Sequence, residues 1–518
     1  MNTVPTMRIH SCNARPVRDD GEYVLYWMIA SRRVHSNFAL DRAIEWCEKL
    51  RKPLIIFEAL RRDFPWAQDR IRRVVIEGMA ANSRAMPASK ALYYPYVESE
   101  AGQGKGLLAA IATRAAVVVT DEFPCYFLPN MVAAAARHVL VLLEQVDSNG
   151  LLPLRASPKE FSTAYAFRRF LQKNLPEHLM NVPQENPLSA AKLPPAKPVP
   201  EEITNRWPEL RFDGSIPLSS SANLSVGLGH EKTDLQRGGS LAAQKQVHAF
   251  LCQKIDSYNE DRNEPGEDGT SGLSPYLHFG HISAHEIFSS VAKHEKWKPE
   301  HLALRSNGSR TGWWGMNSNA ESFLDQAITW RELGFNMCHF RKDYDQFESL
   351  PAWAQKTLTD HASDPRAHKY SFAEFASAAT HDPLWNAAQI QLVTEGKIHN
   401  YLRMLWGKKI LEWTKSPQEA LQIMIELNNK YALDGRDPNS YSGIFWCLGR
   451  YDHPWGPVRP IYGTVRYMSS ENTARKLNLK EYLSKYSVKH FDSAHVSRQV
   501  KHGFSKRDTN SAVGRKKV

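Results

Sequence analysis

The side chains best able to do chemistry are aromatic and polar residues set at helical spacing in the second half of the chain. In residues 381–413, HDPLWNAAQIQLVTEGKIHNYLRMLWGKKILEW, Trp406 and Trp413 lie seven apart and share one face of a helix, with Trp385 on the preceding segment. Three indoles so placed either fill a core or pass electrons one at a time to a photoexcited acceptor. In residues 323–333, FLDQAITWREL, Gln326 and Trp330 are four apart and face the same way on a helix. An amide beside a large aromatic can hydrogen-bond the edge of a planar ligand and stack on its plane; a core tryptophan with a nearby amide gives the same pattern. Residues 427–468 hold the polar turn DGRDPN, Asp434 able to pair with Arg403, and Trp446 as a second aromatic wall. Arg450, Arg459 and Arg466 follow among aromatics, a mixture suited to nucleic acid. Residues 258–283, YNEDRNEPGEDGTSGLSPYLHFGHIS, set Gly269, Thr270, Ser271 and Gly272 before Ser274 and Pro275. Hydroxyls and free backbone NH groups ahead of a helix hold a phosphate, or they only cap the helix.

These segments need elements to position them. The first 150 residues alternate short apolar runs (23–28, 53–60, 91–97, 115–120 and 139–143) with amphipathic stretches at 37–50, 69–80 and 107–115. Continuous apolar strands separated by helices predict a parallel sheet covered on both faces. No GxGxxG follows the first strand, so the usual dinucleotide fingerprint is absent. Residues 181–200 contain six prolines and 215–240 are rich in Ser and Gly, compositions that cannot fold alone. From 241 to about 486 the pattern is helical, with helices expected over 241–258, 320–338 and 396–414, and no repeat of solenoid length occurs. The chain is therefore read as α/β plus all-α.

Composition narrows the class. Of 518 residues, 42% are hydrophobic and 23% charged, which excludes a disordered or fibrous protein. No apolar run is long enough to span a membrane, and the first 20 residues lack the apolar core of a secretory signal. The six cysteines are scattered without a CxxC, which argues against a disulfide framework or zinc ribbon, predicts no metal site and fits a reducing cytoplasm. The net charge of +11 suits a polyanionic partner. Residues 492–518 carry seven Lys or Arg against two Asp and read as a flexible basic tail, for solubility or for DNA.

Taken in order, HDPLWNAAQ, the GK-H---RM-W-KKILEWT run, LN-KY-LDGRDPN-Y-G--W and RP--G--RYM closely resemble the photolyase/cryptochrome family, and within it the class II cyclobutane pyrimidine dimer photolyases. The Tyr, Arg and GTS-LSPYL of 258–283 resemble the wider family's flavin-binding motif. The resemblance covers about residues 20–175 and 240–485. It implies an N-terminal Rossmann-like antenna domain at 21–175 after an extension at 1–20. A linker at 176–240, a helical FAD- and DNA-binding domain at 241–490 and the basic tail at 491–518 would follow. Tyr258, Thr270, Ser271, Leu273 and Ser274 would hold the FAD phosphates and ribityl chain. Arg403 and Asp434 would form an ion pair beside the isoalloxazine ring, with Asn428 near its N5. Trp406, Trp385 and Trp413 would relay electrons. Trp330 and Trp446 would wall the lesion, Met404 would touch it, and Arg262 would face DNA. The implied protein is a monomeric, cytoplasmic, DNA-associated enzyme acting on UV-damaged duplex DNA, with a second antenna chromophore that no motif identifies.

The sequence departs from the family pattern at several places. Gln326 stands where dimer photolyases have a glutamate, as in (6-4) photolyases, so a (6-4) or dual-specificity photolyase is the alternative, with His399 and His278 as candidate proton donors. A cryptochrome-type photoreceptor is a third reading, disfavoured by Trp330, Trp446 and Met404. Asn400 replaces a glycine, residues 450–460 differ from the class II form, and the 306–318 insert, with Trp313 and Trp314, has no counterpart.

Overall fold

The computed structural model describes residues 3–86, 90–195, 198–213, 216–217 and 236–491. The basic tail from 492 and the Ser/Gly-rich stretch over 218–235 lie outside the described residues. Packing divides the chain into two units: Met1–Tyr258 with Thr270–Lys342 and Arg436–Asn439, and Asn259–Gly269 with Asp343–Gly435 and Ser440–Val518.

The first unit is built on a six-stranded sheet: β1 (Ile9–Ser11), β2 (Tyr23–Met28), β3 (Leu54–Leu60), β4 (Leu92–Val97), β5 (Ala115–Asp121) and β6 (Leu143–Val146), in the order β1-β6-β5-β2-β3-β4. All pairings are parallel except β1 on β6. Side chains alternate across the sheet. Val24, Tyr26 and Met28 of β2 join a core with α1 (Phe38–Leu50), and α2 (Asp69–Ala85) follows β3; Tyr23, Leu25 and Trp27 join a core with α3 (Leu107–Ala112) and Val132 of α4 (Leu128–His138). The expected covered parallel sheet is thus present, with two differences. The last strand falls at 143–146 rather than 139–143, because Val139 ends α4 and Val141 is buried ahead of the strand. The N-terminal extension supplies β1, and the adjacent Arg8 is buried, donating to the carbonyls of Asp147, Gly150 and Leu151.

The proline-rich linker is not a bare spacer. Leu188 and Ala191 are buried in the α1 face of the sheet, and Val199, Ile203 and Trp207 in the other. The boundary expected near 240 is likewise not where packing divides. Gly280, at φ 72°, lets its segment run so close to Ala30 that a Cβ there would collide with the Ala30 carbonyl. Arg33 donates to the Gly280 carbonyl at 3.0 Å, tying the two segments.

The second unit is helical, as expected. Its core is formed by the helices Ala352–Asp360, Pro383–Glu395, Asn400–Glu412, Pro417–Tyr431 and the second-unit part of Pro438–Cys447. Gly407 lets three of them meet: a Cβ there would lie 2.6 Å from Cys447 Sγ and 3.1 Å from Met424 Sδ.

Candidate active site

In the second unit, the helix Pro383–Glu395 begins where Asp382 accepts hydrogen bonds from the backbone NH groups of Leu384 and Trp385, at 2.9 and 3.0 Å. That cap sets Trp385 in the first turn, where its Nε1 donates to the Trp406 carbonyl at 3.0 Å. The Trp385 and Trp406 rings lie 6.4 Å apart and 4° from parallel, and Trp413 meets Trp385 at 6.0 Å and 67°. The three indoles are at most 2% exposed, and their contact order is Trp406, Trp385, Trp413. The helix ends at Glu412, so Trp385 bridges the other two rather than the helix face alone aligning them. Trp406 Nε1 donates to Gln389 Oε1 at 2.9 Å. Sequence reasoning missed Gln389, although it stands one turn after Trp385 in the quoted run.

One turn before Trp406, Arg403 reaches Asp434 at 3.3 and 3.4 Å and Asn428 Oδ1 at 3.5 Å. Asn428 Nδ2 donates to Ser440 Oγ at 2.7 Å, which fixes the amide. The structure therefore brings together Arg403, Asp434 and Asn428. Met404 packs against the same core, its carbonyl 3.9 Å from Cys447 Sγ. His399 Nε2 donates to the Arg262 carbonyl at 3.1 Å, leaving Nδ1 as an acceptor that is buried and has no partner among the described residues. Burial pushes the His399 imidazole down to about 4, so it is neutral at pH 7.

In the first unit, Tyr258 is buried edge-on against Phe250 and Phe323, at 5.6 and 5.5 Å. The loop 270–273 leads into the short helix Ser274–His278, with Leu273 buried at its start. Gln246 donates to the Ser271 carbonyl at 2.7 Å and Gln236 to the Gly272 carbonyl at 2.8 Å. Gly272 sits at φ 65°, and the Ser271 hydroxyl accepts from the Leu273 backbone NH at 3.4 Å. The Thr270 hydroxyl makes no hydrogen bond among the described residues. Within the first unit, the Thr270 hydroxyl is a donor that suits a phosphate oxygen; within the second, the orphaned His399 acceptor and the Arg403 cation suit the polar edge of a ring.

Gln326 and Trp330 do not lie on a regular α-helix. Residues Asp325–Trp330 form a π-helical turn between the helices Ser318–Leu324 and Arg331–Phe340. Such turns gather at functional sites. Asp325 is gripped by Arg168 in a buried two-pronged ion pair, at 2.7 and 3.1 Å. Glu332 accepts from the backbone NH groups of Leu151 and Leu152, at 2.7 and 3.2 Å. The wide turn is thus pinned on both sides, which period-based reading could not foresee. Gln326 and Trp330 are both half-buried, and the Gln326 amide has no partner among the described residues. Trp313 and Trp314 of the 306–318 insert are core residues, packed with Trp297 and Phe288.

A parallel-sheet unit followed by a helical unit is the architecture of photolyases. A class III photolyase from Agrobacterium tumefaciens superposes with a TM-score of 0.64 over 93% of this chain and 90% of its own, at 16% identity. No family model matches the chain. Curated relatives named deoxyribodipyrimidine photo-lyase do. They include proteins from Methanothermobacter thermautotrophicus (35% identical, covering 92% of this chain and 97% of the relative) and Arabidopsis thaliana (31%, 89% and 88%). A third is from Potorous tridactylus (32%, 91% and 82%). The chain belongs to the photolyase family, and it is an enzyme of the deoxyribodipyrimidine photo-lyase kind. None of its described helices is long and apolar enough to cross a membrane.

Proposed function

We propose that this protein is a class II-type photolyase that splits cyclobutane pyrimidine dimers in duplex DNA, with FAD as its cofactor. The observation that carries the reading is the buried Trp406–Trp385–Trp413 chain, which begins one turn from the Arg403–Asp434–Asn428 cluster. Arg403 would balance negative charge on the flavin ring, Asn428 would face N5, and the Thr270, Ser271 and Ser274 hydroxyls would bind the phosphates, with Tyr258 and Leu273 supporting them. When bound, the reduced flavin supplies the photoexcited electron that opens the cyclobutane ring and is then returned. Cationic side chains, Arg262 among them, would hold DNA phosphates. A dimer flips out at low cost because its pairing is already disturbed. Gln326 would donate its amide NH to a lesion carbonyl, Trp330 and Trp446 would each stack on a base, and Met404 would pack on the lesion. The test is blue-light repair by the purified, reduced protein of two oligonucleotides, one with a cyclobutane dimer and one with a (6-4) photoproduct. Repair of the dimer is expected; repair of neither, with photoreducible flavin present, would overturn the reading.

Gln326 also favours a second reading, (6-4) repair. That chemistry calls for a proton donor, and the burial that keeps His399 neutral weighs against it. Exchange of Gln326→Glu is expected to raise dimer repair several-fold, and unchanged lesion preference would show that position 326 does not choose the lesion.

A further inference from the structure

Lys408 is a buried lysine with no carboxylate bonded to it among the described residues. It lies two residues after Trp406, is 0% exposed, and its Nζ has no hydrogen-bond partner among the described residues. Burying an ammonium in this way is costly, so its retention calls for a use. What it faces is the ring of Trp446, 5.3 Å from the centroid. Arg466, exposed on the surface, sets a second cation 5.8 Å from the same ring and 4.9 Å from Trp455. Asp452 is the carboxylate nearest in influence, but its Oδ1 is taken by Trp455 Nε1 and the His453 backbone NH, at 3.0 and 2.9 Å. The neighbouring Cys447 thiol is pushed up to about 11 by burial and is uncharged. Burial lowers Lys408 only to about 8, so it stays charged at neutral pH.

The relay tryptophans are treated differently. Among the described residues no cation lies over Trp406 or Trp385, and Trp406 Nε1 is hydrogen-bonded to Gln389. Lys409 lies 5.6 Å from Trp413, but it is paired with Glu412 at 2.8 Å. We propose that Lys408 and Arg466 form an electrostatic guard that keeps Trp446 reduced, so that Trp406, Trp385 and Trp413 yield electrons in its place. This rests on the relay reading above. An indole that loses one electron becomes a radical cation, while a one-electron oxidant is reduced; the N–H proton stays on the ring or passes to water. Two cations against the ring stabilise the neutral indole through its quadrupole and repel the positive charge of the oxidised one. The tryptophan proposed to stack on the lesion is thereby spared oxidation.

The guard can be tested without flavin photochemistry. The full-length protein is exposed to a photoactivated ruthenium polypyridyl complex with persulfate as electron acceptor, and oxidation at each tryptophan is read by peptide mass spectrometry. The half-buried Trp330 serves as the reference. Lys408→Met and Arg466→Met are each expected to raise the Trp446 to Trp330 ratio at least threefold, and Lys408→Arg to leave it within twofold of the parent. Because Lys408 is fully buried, its loss does not uncover the indole to solvent. Arg466 is exposed, so its variant reads out even where Lys408→Met fails to fold. An unchanged ratio in the neutral variants overturns the proposal. In a Trp406→Phe background, adding Lys408→Met is expected to raise light-driven flavin reduction at least tenfold, and a further Trp446→Phe to abolish the gain. A chain with all its native tryptophans whose bound flavin is never photoreduced would overturn the relay reading, while the oxidation ratio would still decide the guard.

Discussion

His399 shows how much one buried side chain can report. Its imidazole ordinarily titrates near 6.5, and burial lowers that to about 4 in the folded chain. Between these values the unfolded chain binds a proton that the folded chain does not, so His399 removes stability as pH falls through this window. The effect amounts to about 3 kcal/mol at pH 4. Relative to the parent, His399→Gln should therefore gain about that much stability between pH 7 and pH 4, checked by denaturant melts at both pH values. A parallel pH dependence in the two proteins would place the imidazole in water instead. At this scale the sequence was informative where charge or aromatic character alone carries the role. Arg403 and Asp434 are opposite charges in neighbouring motifs, and they pair. Gln389 was not legible because a neutral amide has no pattern of its own; only the indole NH that it receives gives it meaning.

Among elements, the joint at Gly407 and the π-helical turn depend most on fit. Gly407→Ala would press a methyl group against Cys447 Sγ, and overpacking of this kind costs about 1–3 kcal/mol. A lowered thermal midpoint, partly restored by adding Cys447→Ala, is the expected result. Arg168→Met would leave the Asp325 carboxylate buried without its cation, at a cost of about 3–5 kcal/mol. The double variant Arg168→Met with Asp325→Leu should recover most of that loss in chemical unfolding. The sequence period announces helix throughout 320–338, yet the wide turn is held by a tertiary ion pair and hydrogen bonds on either side, which no period encodes. The same holds for β6: Val139, Val141 and Leu143 of the apolar run are buried, but the strand ladder starts only where β5 offers partners, at Val118 opposite Leu143. The linker misled for another reason. Prolines announce an extended chain but not the sheet faces against which Leu188 and Trp207 come to rest.

For the whole molecule, the surplus of +11 predicts how it meets DNA. Each phosphate neutralised releases counterions, so affinity for undamaged and damaged duplex alike should fall steeply with salt. With six to ten phosphate contacts the loss is on the order of 10³–10⁵ between 50 and 200 mM salt, measurable by fluorescence anisotropy. A flat salt profile would mean that charge plays no part in binding. Fold class was readable from strand and helix periods, while membership of the two units was not, because local spacing does not reveal which distant segments pack together. The first unit includes Arg436–Asn439, and Gly334 has no room for a Cβ because the backbone of Pro438 and Asn439 passes beside it. On a ribosome, this unit cannot be finished when its sheet emerges. At roughly 5–20 residues per second, its last piece arrives on the order of ten to forty seconds after residue 258. Through that interval the nascent sheet must wait with part of its packing missing, so the first unit matures only after most of the second has been synthesised.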